Sequence, residues 1–244
     1  MKGNAVSPLL ETKGLTKSFG ALRAVDDVSL TLATGDTLGI IGPNGAGKSS
    51  LFNLIAGVMM ADSGQVLWQG QDITTLSAAE RCRAGVGRTY QIPKPFGGLT
   101  VYENLLVAAE FGGGNGAGAK PLCRAILDQM ELSHLADAPA GGLRLLERKR
   151  LEMARALATG PKVLLLDEIA GGLTDLECDS LIAAIRDIKA DGVAIIWIEH
   201  VVHALFAVVD RLAVINFGAK IAEGPPQATF DSPEVQSIYL GIEA

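Results

Sequence analysis

Residues 42–49 read G-P-N-G-A-G-K-S, which satisfies the phosphate-binding pattern G-x-x-x-x-G-K-[ST]. Glycines at 42, 45 and 47 allow backbone conformations and a close approach that side chains would block. Backbone N–H groups can then curl around phosphate oxygens at the positive end of the helix that follows. In this pattern Lys48 reaches the β- and γ-phosphates and Ser49 offers a hydroxyl to Mg²⁺. Gly42, Pro43, Asn44, Gly45, Ala46, Gly47, Lys48, Ser49 and Ser50 are thus the candidate phosphate cradle. A glycine-rich turn that matches by chance would need neither a strand before it nor a helix after it. Here the apolar run 37–41 predicts the strand, and 50–56 predicts a helix that stops at Gly57.

A second candidate lies far along the chain. Residues 162–168 read K-V-L-L-L-D-E, a short apolar strand ending in two acids. A continuous apolar run suits a strand buried on both faces of a mostly parallel sheet, and ligands bind at the carboxyl ends of such strands. Adjacent strand residues point to opposite sides, so the acids can divide the work. Asp167 is expected in the Mg²⁺ shell, and Glu168 is expected to polarise or deprotonate the attacking water. Alone, such a strand end is often a solvated turn; beside a phosphate loop it supplies the metal-side acid and water-orienting group that nucleotide hydrolysis needs.

Bulk properties narrow the class. With 244 residues, 48% of them apolar and 20% charged, the chain is globular and long enough for one large domain or a core with an inserted subdomain. A net charge of −6 argues against a nucleic-acid partner, which needs a basic patch. No apolar run approaches the roughly 20 residues of a membrane-spanning helix, the best candidate being the strand-length run 193–198. The start, Lys2 then Gly3-Asn4, lacks the apolar segment of a signal peptide. Cys82, Cys123 and Cys178 are scattered and fit no ligand spacing, so reduced thiols in a cytoplasmic protein are expected.

Between the two acidic and phosphate-binding poles stand Gly87-Arg88-Thr89-Tyr90-Gln91, Pro95-Phe96 and residues 99–104, and after the acids comes Ile198-Glu199-His200. The order of phosphate loop, glutamine, Arg/Lys-rich helix, Asp-Glu and histidine resembles the nucleotide-binding subunit of ABC transporters over nearly the whole chain. Within that family it is most similar to the ATPase subunits of bacterial branched-chain amino acid importers. The narrower match rests on Arg88-Thr89-Tyr90-Gln91, Arg150-Leu151-Glu152, Ile198-Glu199-His200 and the ending from Ile221-Ala222-Glu223-Gly224 to Tyr239-Leu240-Gly241.

The resemblance implies further roles. Phe19 matches the aromatic that stacks on adenine, where weak discrimination between purines is expected; without the family it would read as a core aromatic beside a turn. Gln91 matches the glutamine that completes the Mg²⁺ and water shell and senses the membrane partner, whereas alone it would be an ordinary loop residue. His200 matches the switch histidine, a neutral imidazole able to bridge the γ-phosphate and Glu168. His203 reads as a helix-face residue, and two histidines at that spacing make no metal site. ATP and Mg²⁺ are the implied ligands. The implied partners are integral membrane permease subunits, a second ATPase subunit (a heterodimer favoured over a homodimer) and, indirectly, a periplasmic solute-binding protein. The implied location is peripheral, on the cytoplasmic face of the cell membrane.

The sequence also departs from the family. Members carry a Leu-Ser-Gly-Gly-Gln-like signature before the Arg-rich helix, and here Leu143-Arg144-Leu145-Leu146-Glu147 falls on it. Arg144 replaces the serine, Leu146 the second glycine and Glu147 the glutamine. Leu146 would restrict approach to the partner's γ-phosphate, and Glu147 would add negative charge there. Gly141-Gly142 could be a displaced signature only at the cost of the helix register. Ile169 stands where proline is usual, and Thr174, followed by Asp175, where many members have the aspartate of the dimer-contact loop.

The expected fold is α/β: a RecA-like P-loop NTPase core with an N-terminal antiparallel β subdomain and an inserted α-helical subdomain. Residues 1–91 and 159–244 are assigned to the core and 92–158 to the insertion. Runs 9–12 and 28–32 alternate as strands, 34–36 turns back, and 100–111, 122–130 and 147–158 read as helices. The last of these is expected to carry its Arg and Lys on a solvated face. Residues 112–118 read as a glycine-rich surface linker, with a hinge as the alternative. Other functions weighed are a soluble ABC ATPase of translation or DNA repair, a non-hydrolysing regulatory subunit and a lipopolysaccharide-export ATPase. The first usually needs two cassettes or a long coiled coil, and intact Lys48, Asp167, Glu168 and His200 oppose the second.

Overall fold

Strands wet on one face alternate in burial, while strands covered on both faces are apolar throughout. Both kinds occur here. The computed structural model describes residues 8–113 and 118–240. In chain order it begins with β1 (Leu10–Phe19), β2 (Leu22–Leu32), β3 (Thr37–Ile41), α1 (Lys48–Ile55), β4 (Ser63–Trp68) and β5 (Gln71–Asp72). Then follow α2 (Ala78–Ala84), β6 (Val86–Arg88), α3 (Val101–Phe111), α4 (Ala119–Gln129) and α5 (Leu145–Ala158). The remainder is β7 (Val163–Asp167), α6 (Asp175–Ala190), β8 (Ala194–Ile198), α7 (Val202–Phe206), β9 (Arg211–Asn216), β10 (Ala219–Gly224), α8 (Pro226–Phe230) and α9 (Pro233–Leu240).

β1 and β2 pair antiparallel and join β4 and β5 in a sheet of order β2-β1-β4-β5. The second sheet has the order β10-β9-β3-β8-β7-β6, parallel except for the β9–β10 hairpin at its edge. Its central strands β3, β7 and β8 are buried at every position. Because strand side chains alternate, each strand feeds two cores. Val163 and Leu165, with Ile196 and Ile198, pack towards α1 and the antiparallel sheet. Leu164 and Leu166, with Ile195 and Trp197, pack in one continuous core with α3, α4, α5 and α6. This is the expected α/β class.

Helix starts follow local chemistry. Ser77 and Glu80, Thr100 and Glu103, and Thr174 and Glu177 form reciprocal capping boxes at α2, α3 and α6. The solvated basic face expected for α5 is corrected: Lys149 and Arg150 are buried, at 4% and 5% exposure. Arg150 donates to the carbonyl of Met130, to the Glu131 carboxylate and, at 2.6 Å, to Ser180 Oγ. Its charge is used inside the molecule to tie α5 to neighbouring elements, since a buried guanidinium must find acceptors. α5 also begins earlier than expected, at Leu145. Of the glycine-rich 112–118, residues 114–117 lie outside the described residues, and Gly113 N donates to Thr159 O at 3.1 Å. The N-terminal start and Gly241 likewise lie outside the described residues.

Arg81 is the polar anchor of the phosphate-loop helix. At 1% exposure it donates to the carbonyls of Leu54 (2.7 Å), Ile55 (2.9 Å), Thr74 (2.7 Å) and Leu76 (3.1 Å). Two of these are end carbonyls of α1, which have no partner within the helix. Arg81→Ala leaves Ile55 O buried without a donor and Leu54 O with only the longer bond from Gly57 N (3.3 Å), so we expect a stability loss of roughly 2–4 kcal/mol. Urea unfolding would register this as a lower midpoint at unchanged slope. A loss below about 1 kcal/mol would remove Arg81 as an anchor.

Candidate active site

The phosphate loop leaves the carboxyl end of β3 and enters α1, as its motif requires. Its glycines are sterically enforced: an added Cβ at Gly42 would lie 2.1 Å from Ile215 O, and at Gly47, where φ is +100°, 2.0 Å from Ala24 O. The loop is also fastened from outside, since Gly218 N, in the β9–β10 turn, donates to Ala46 O at 2.9 Å. Lys48 is buried, and its Nζ donates to Gly42 O (2.7 Å) and Pro43 O (3.0 Å). Burial pulls its pKa below the usual lysine range, opposed by the negative charge of Glu168 and Asp167.

A cleft of about 430 Å³ opens over the loop, within the size range of small-molecule sites. Asn44, Gly45, Ala46, Gly47, Lys48, Ser49 and Ser50 line its floor, Phe19 and Leu22 one side, and Gln91 and Glu168 the other. Phe19 is 48% exposed at the end of β1, with Lys17 Nζ 5.9 Å from its ring centroid. That placement leaves an aromatic face free for a base.

The acidic pair sits at the carboxyl end of β7, with a correction to how its members diverge. The strand ends at Asp167, and Glu168 adopts a left-handed φ of +47°. Simple alternation would have sent Glu168 to the opposite side of the sheet; the turn brings it back to the cleft. There His200 Nε2 lies 2.7 Å from one Glu168 carboxylate oxygen, and Gln91 Nε2 donates to the other. Glu168, Gln91 and His200 thus form one cluster. Positive φ in a non-glycine residue is strained and persists only where the surroundings over-determine it.

Asp167 points towards α1 instead. Arg88 Nη2 donates to its Oδ2 at 3.1 Å, and Arg88 Nη1 donates to Asn53 Oδ1 at 2.6 Å. The guanidinium lies 5.0 Å from the Tyr90 ring centroid and 6.0 Å from that of Phe52. Burial raises the Asp167 pKa, with Arg88 opposing. Asp167 Oδ1 is buried and has no hydrogen-bond partner among the described residues. Such an orphaned anionic oxygen behind the phosphate loop suits a divalent cation of hard, oxygen-ligand type. Ser49 is exposed in the cleft, where its hydroxyl is open to a ligand.

The signature segment lies apart. Arg144 caps α5 from the N-terminal side, and its N–H donates to Glu147 Oε2 at 2.7 Å. Glu147 therefore spends its charge on a helix terminus. Gly141 and Gly142 fall in a preceding 3₁₀ turn, with Gly141 N on Gly97 O at 3.2 Å. His203 is exposed on α7, 3.9 Å from Cys178 Sγ, and no cluster of three ligating side chains occurs among the described residues. No helix among them is long and apolar enough to cross a membrane. Sequence reasoning gave no role to Leu22, Arg88 or Glu199. Arg88 and Glu199 stood inside quoted stretches, but only tertiary pairing reveals their partners.

A glycine-built phosphate cradle at the carboxyl edge of a parallel sheet, faced by an acidic pair, defines a P-loop nucleotide hydrolase. Residues 25–171 match the ABC transporter family model, and the chain belongs to that family as an ABC transporter ATPase. The chain is 36% identical to the high-affinity branched-chain amino acid transport ATP-binding protein BraF of Pseudomonas aeruginosa, covering 96% of this chain and 98% of the relative. It is 34% identical to the lipopolysaccharide export system ATP-binding protein LptB of Acidithiobacillus ferridurans, covering 97% and 98%. A crystal structure of the ADP conformation of an ATP-binding cassette of an ABC transporter superposes with a TM-score of 0.88 at 34% identity, covering 96% and 99%.

Proposed function

We propose that the chain binds MgATP in the cleft over the phosphate loop and hydrolyses it with Glu168 as general base, energising uptake of branched-chain or other hydrophobic amino acids. The observation that carries this is the Glu168 carboxylate, held between Gln91 and His200 on the wall of the cleft. Phe19 stacks on the adenine, the amides of the loop and Lys48 hold the phosphates, and Ser49, Asp167 and Gln91 hold Mg²⁺. Mg²⁺, when bound, neutralises charge on the β- and γ-phosphates. Glu168 takes the proton of the attacking water, and His200 keeps that carboxylate and the γ-phosphate aligned.

The chain acts with integral membrane permease subunits, on the cytoplasmic face of the cell membrane, with a periplasmic solute-binding protein as the distant donor. Gln91 adjoins Tyr90, which lines a second cleft with Arg88, Glu152 and Arg155. A permease contact there would lie one residue from a hydrogen-bond partner of the base. The division into 1–91 plus 159–244 and 92–158 is our reading of how α3, α4 and α5 pack on one another. Co-purification with membrane subunits and identification of the bound solute test the function. Similarity to the export protein favours one competing reading, a lipopolysaccharide-type exporter. ATPase stimulation by lipopolysaccharide rather than by a solute-loaded binding protein would select it.

The altered signature favours a heterodimer of unequal sites. This chain's phosphate loop, with Asp167, Glu168 and His200, would face the partner's signature, whereas the partner's loop would face Arg144, Leu146 and Glu147. The missing serine hydroxyl and glycine approach remove γ-phosphate contacts worth roughly 1–3 kcal/mol each, so the second site should turn over slowly. Inactivating each subunit's glutamate in turn checks this. Most ATPase activity should disappear with the Glu168 change and survive the partner's; the reverse pattern would sink the asymmetry.

A further inference from the structure

We propose that Glu199 is a positioning residue for hydrolysis, its single carboxylate fastening together the two loops that carry Glu168 and His200. The inference rests on the reading of those two residues as the hydrolytic pair. β7 and β8 run in register as far as Asp167 opposite Ile198, and Glu168 N still donates to Ile198 O at 2.9 Å. Beyond that point the strand ladder ends and the chains diverge. Glu199 stands at the divergence, 1% exposed, with a carboxylate oxygen for each side. Oε1 accepts the Ala170 N–H at 2.6 Å, on the loop leaving Glu168. Oε2 accepts the His200 N–H at 2.9 Å.

This location explains two costly features. Glu168 is held in left-handed backbone, which requires outside restraint, and the bond to Ala170 N restrains the loop just beyond it. Burying a carboxylate is expensive unless it is fully satisfied. Here backbone donors from both loops satisfy it, and the buried Lys149 of α5 lies in the field of both Glu199 and Glu168. An amide could not replace it: glutamine would present N–H donors to one of the two backbone N–H groups. Aspartate, one methylene shorter, could not span both.

Glu199→Gln and Glu199→Asp, made in the full chain and assayed in the complex with its second ATPase subunit and the membrane subunits, should separate positioning from binding, because neither change touches the phosphate loop. Displacement of reacting groups by about 1 Å costs on the order of 10²-fold in rate, so kcat of Glu199→Gln should fall by about that factor. KM and affinity for MgATP should stay within about threefold of wild type, and Glu199→Asp should show the same split with a smaller loss. Wild-type kcat in either variant would overturn the assignment. So would a parallel loss of nucleotide affinity, or loss of fold in both variants, either of which would make Glu199 a core brace. Should only Glu199→Gln fail to fold, the kcat of Glu199→Asp decides. An assembled complex with wild-type Glu199 that shows no ATPase activity in the same assay would instead strike the underlying reading of Glu168 and His200.

Discussion

Glu168→Gln should bind MgATP as tightly as wild type and lose at least about 10²-fold in turnover, the scale of a lost general base. In the structure both Glu168 oxygens accept hydrogen bonds, one from Gln91 Nε2 and one facing His200 Nε2. The substituted amide retains the shape and one acceptor, but it cannot take a proton and it turns an N–H group towards a donor. Binding should survive because the floor of the cleft is built by the phosphate loop. Phosphate release in the assembled complex, set beside calorimetry of nucleotide binding, reads the two effects separately. Near-normal turnover would move the base elsewhere, with His200 the next candidate.

Lys48→Ala should abolish tight nucleotide binding. Lys48 already donates to Gly42 O and Pro43 O, so it braces the loop in addition to its proposed contact with phosphate. Two charge-assisted contacts to phosphate together are worth about 3 kcal/mol, or on the order of 10²-fold in affinity. The loosened loop carbonyls add to that loss. Calorimetry checks it directly, and unchanged affinity would remove the phosphate loop as the binding site.

What the residues reveal in order along the chain and what they reveal only in space differ here in kind. The phosphate loop, its strand and its helix were legible because the motif is contiguous and each neighbour obeys its own periodicity. The buried strands β7 and β8 were legible from uninterrupted apolar runs. The direction of Glu168 was not, because period-two alternation cannot foresee a left-handed turn at the strand end. Nor was the burial of Lys149 and Arg150: a basic helix looks alike whether its charges meet water or internal carbonyls. The partners of Arg88 lie 35 and 79 residues away in sequence. Pairings of that span leave no local pattern, and the bond from Ala170 N to Glu199, 29 residues on, leaves none either. Arg81, which closes the end of α1 from 26 and 27 residues away, was missed for the same reason.

The most direct test of the account is ATP hydrolysis by this chain when co-expressed with the membrane subunits it is proposed to serve, purified through a tag on those subunits and reconstituted in vesicles. The chain should co-purify, the vesicles should hydrolyse ATP in a Mg²⁺-dependent way, and Glu168→Gln should co-purify equally but lose most of that hydrolysis. A chain that fails to bind the membrane subunits, or a complex whose hydrolysis persists undiminished in Glu168→Gln, would contradict it.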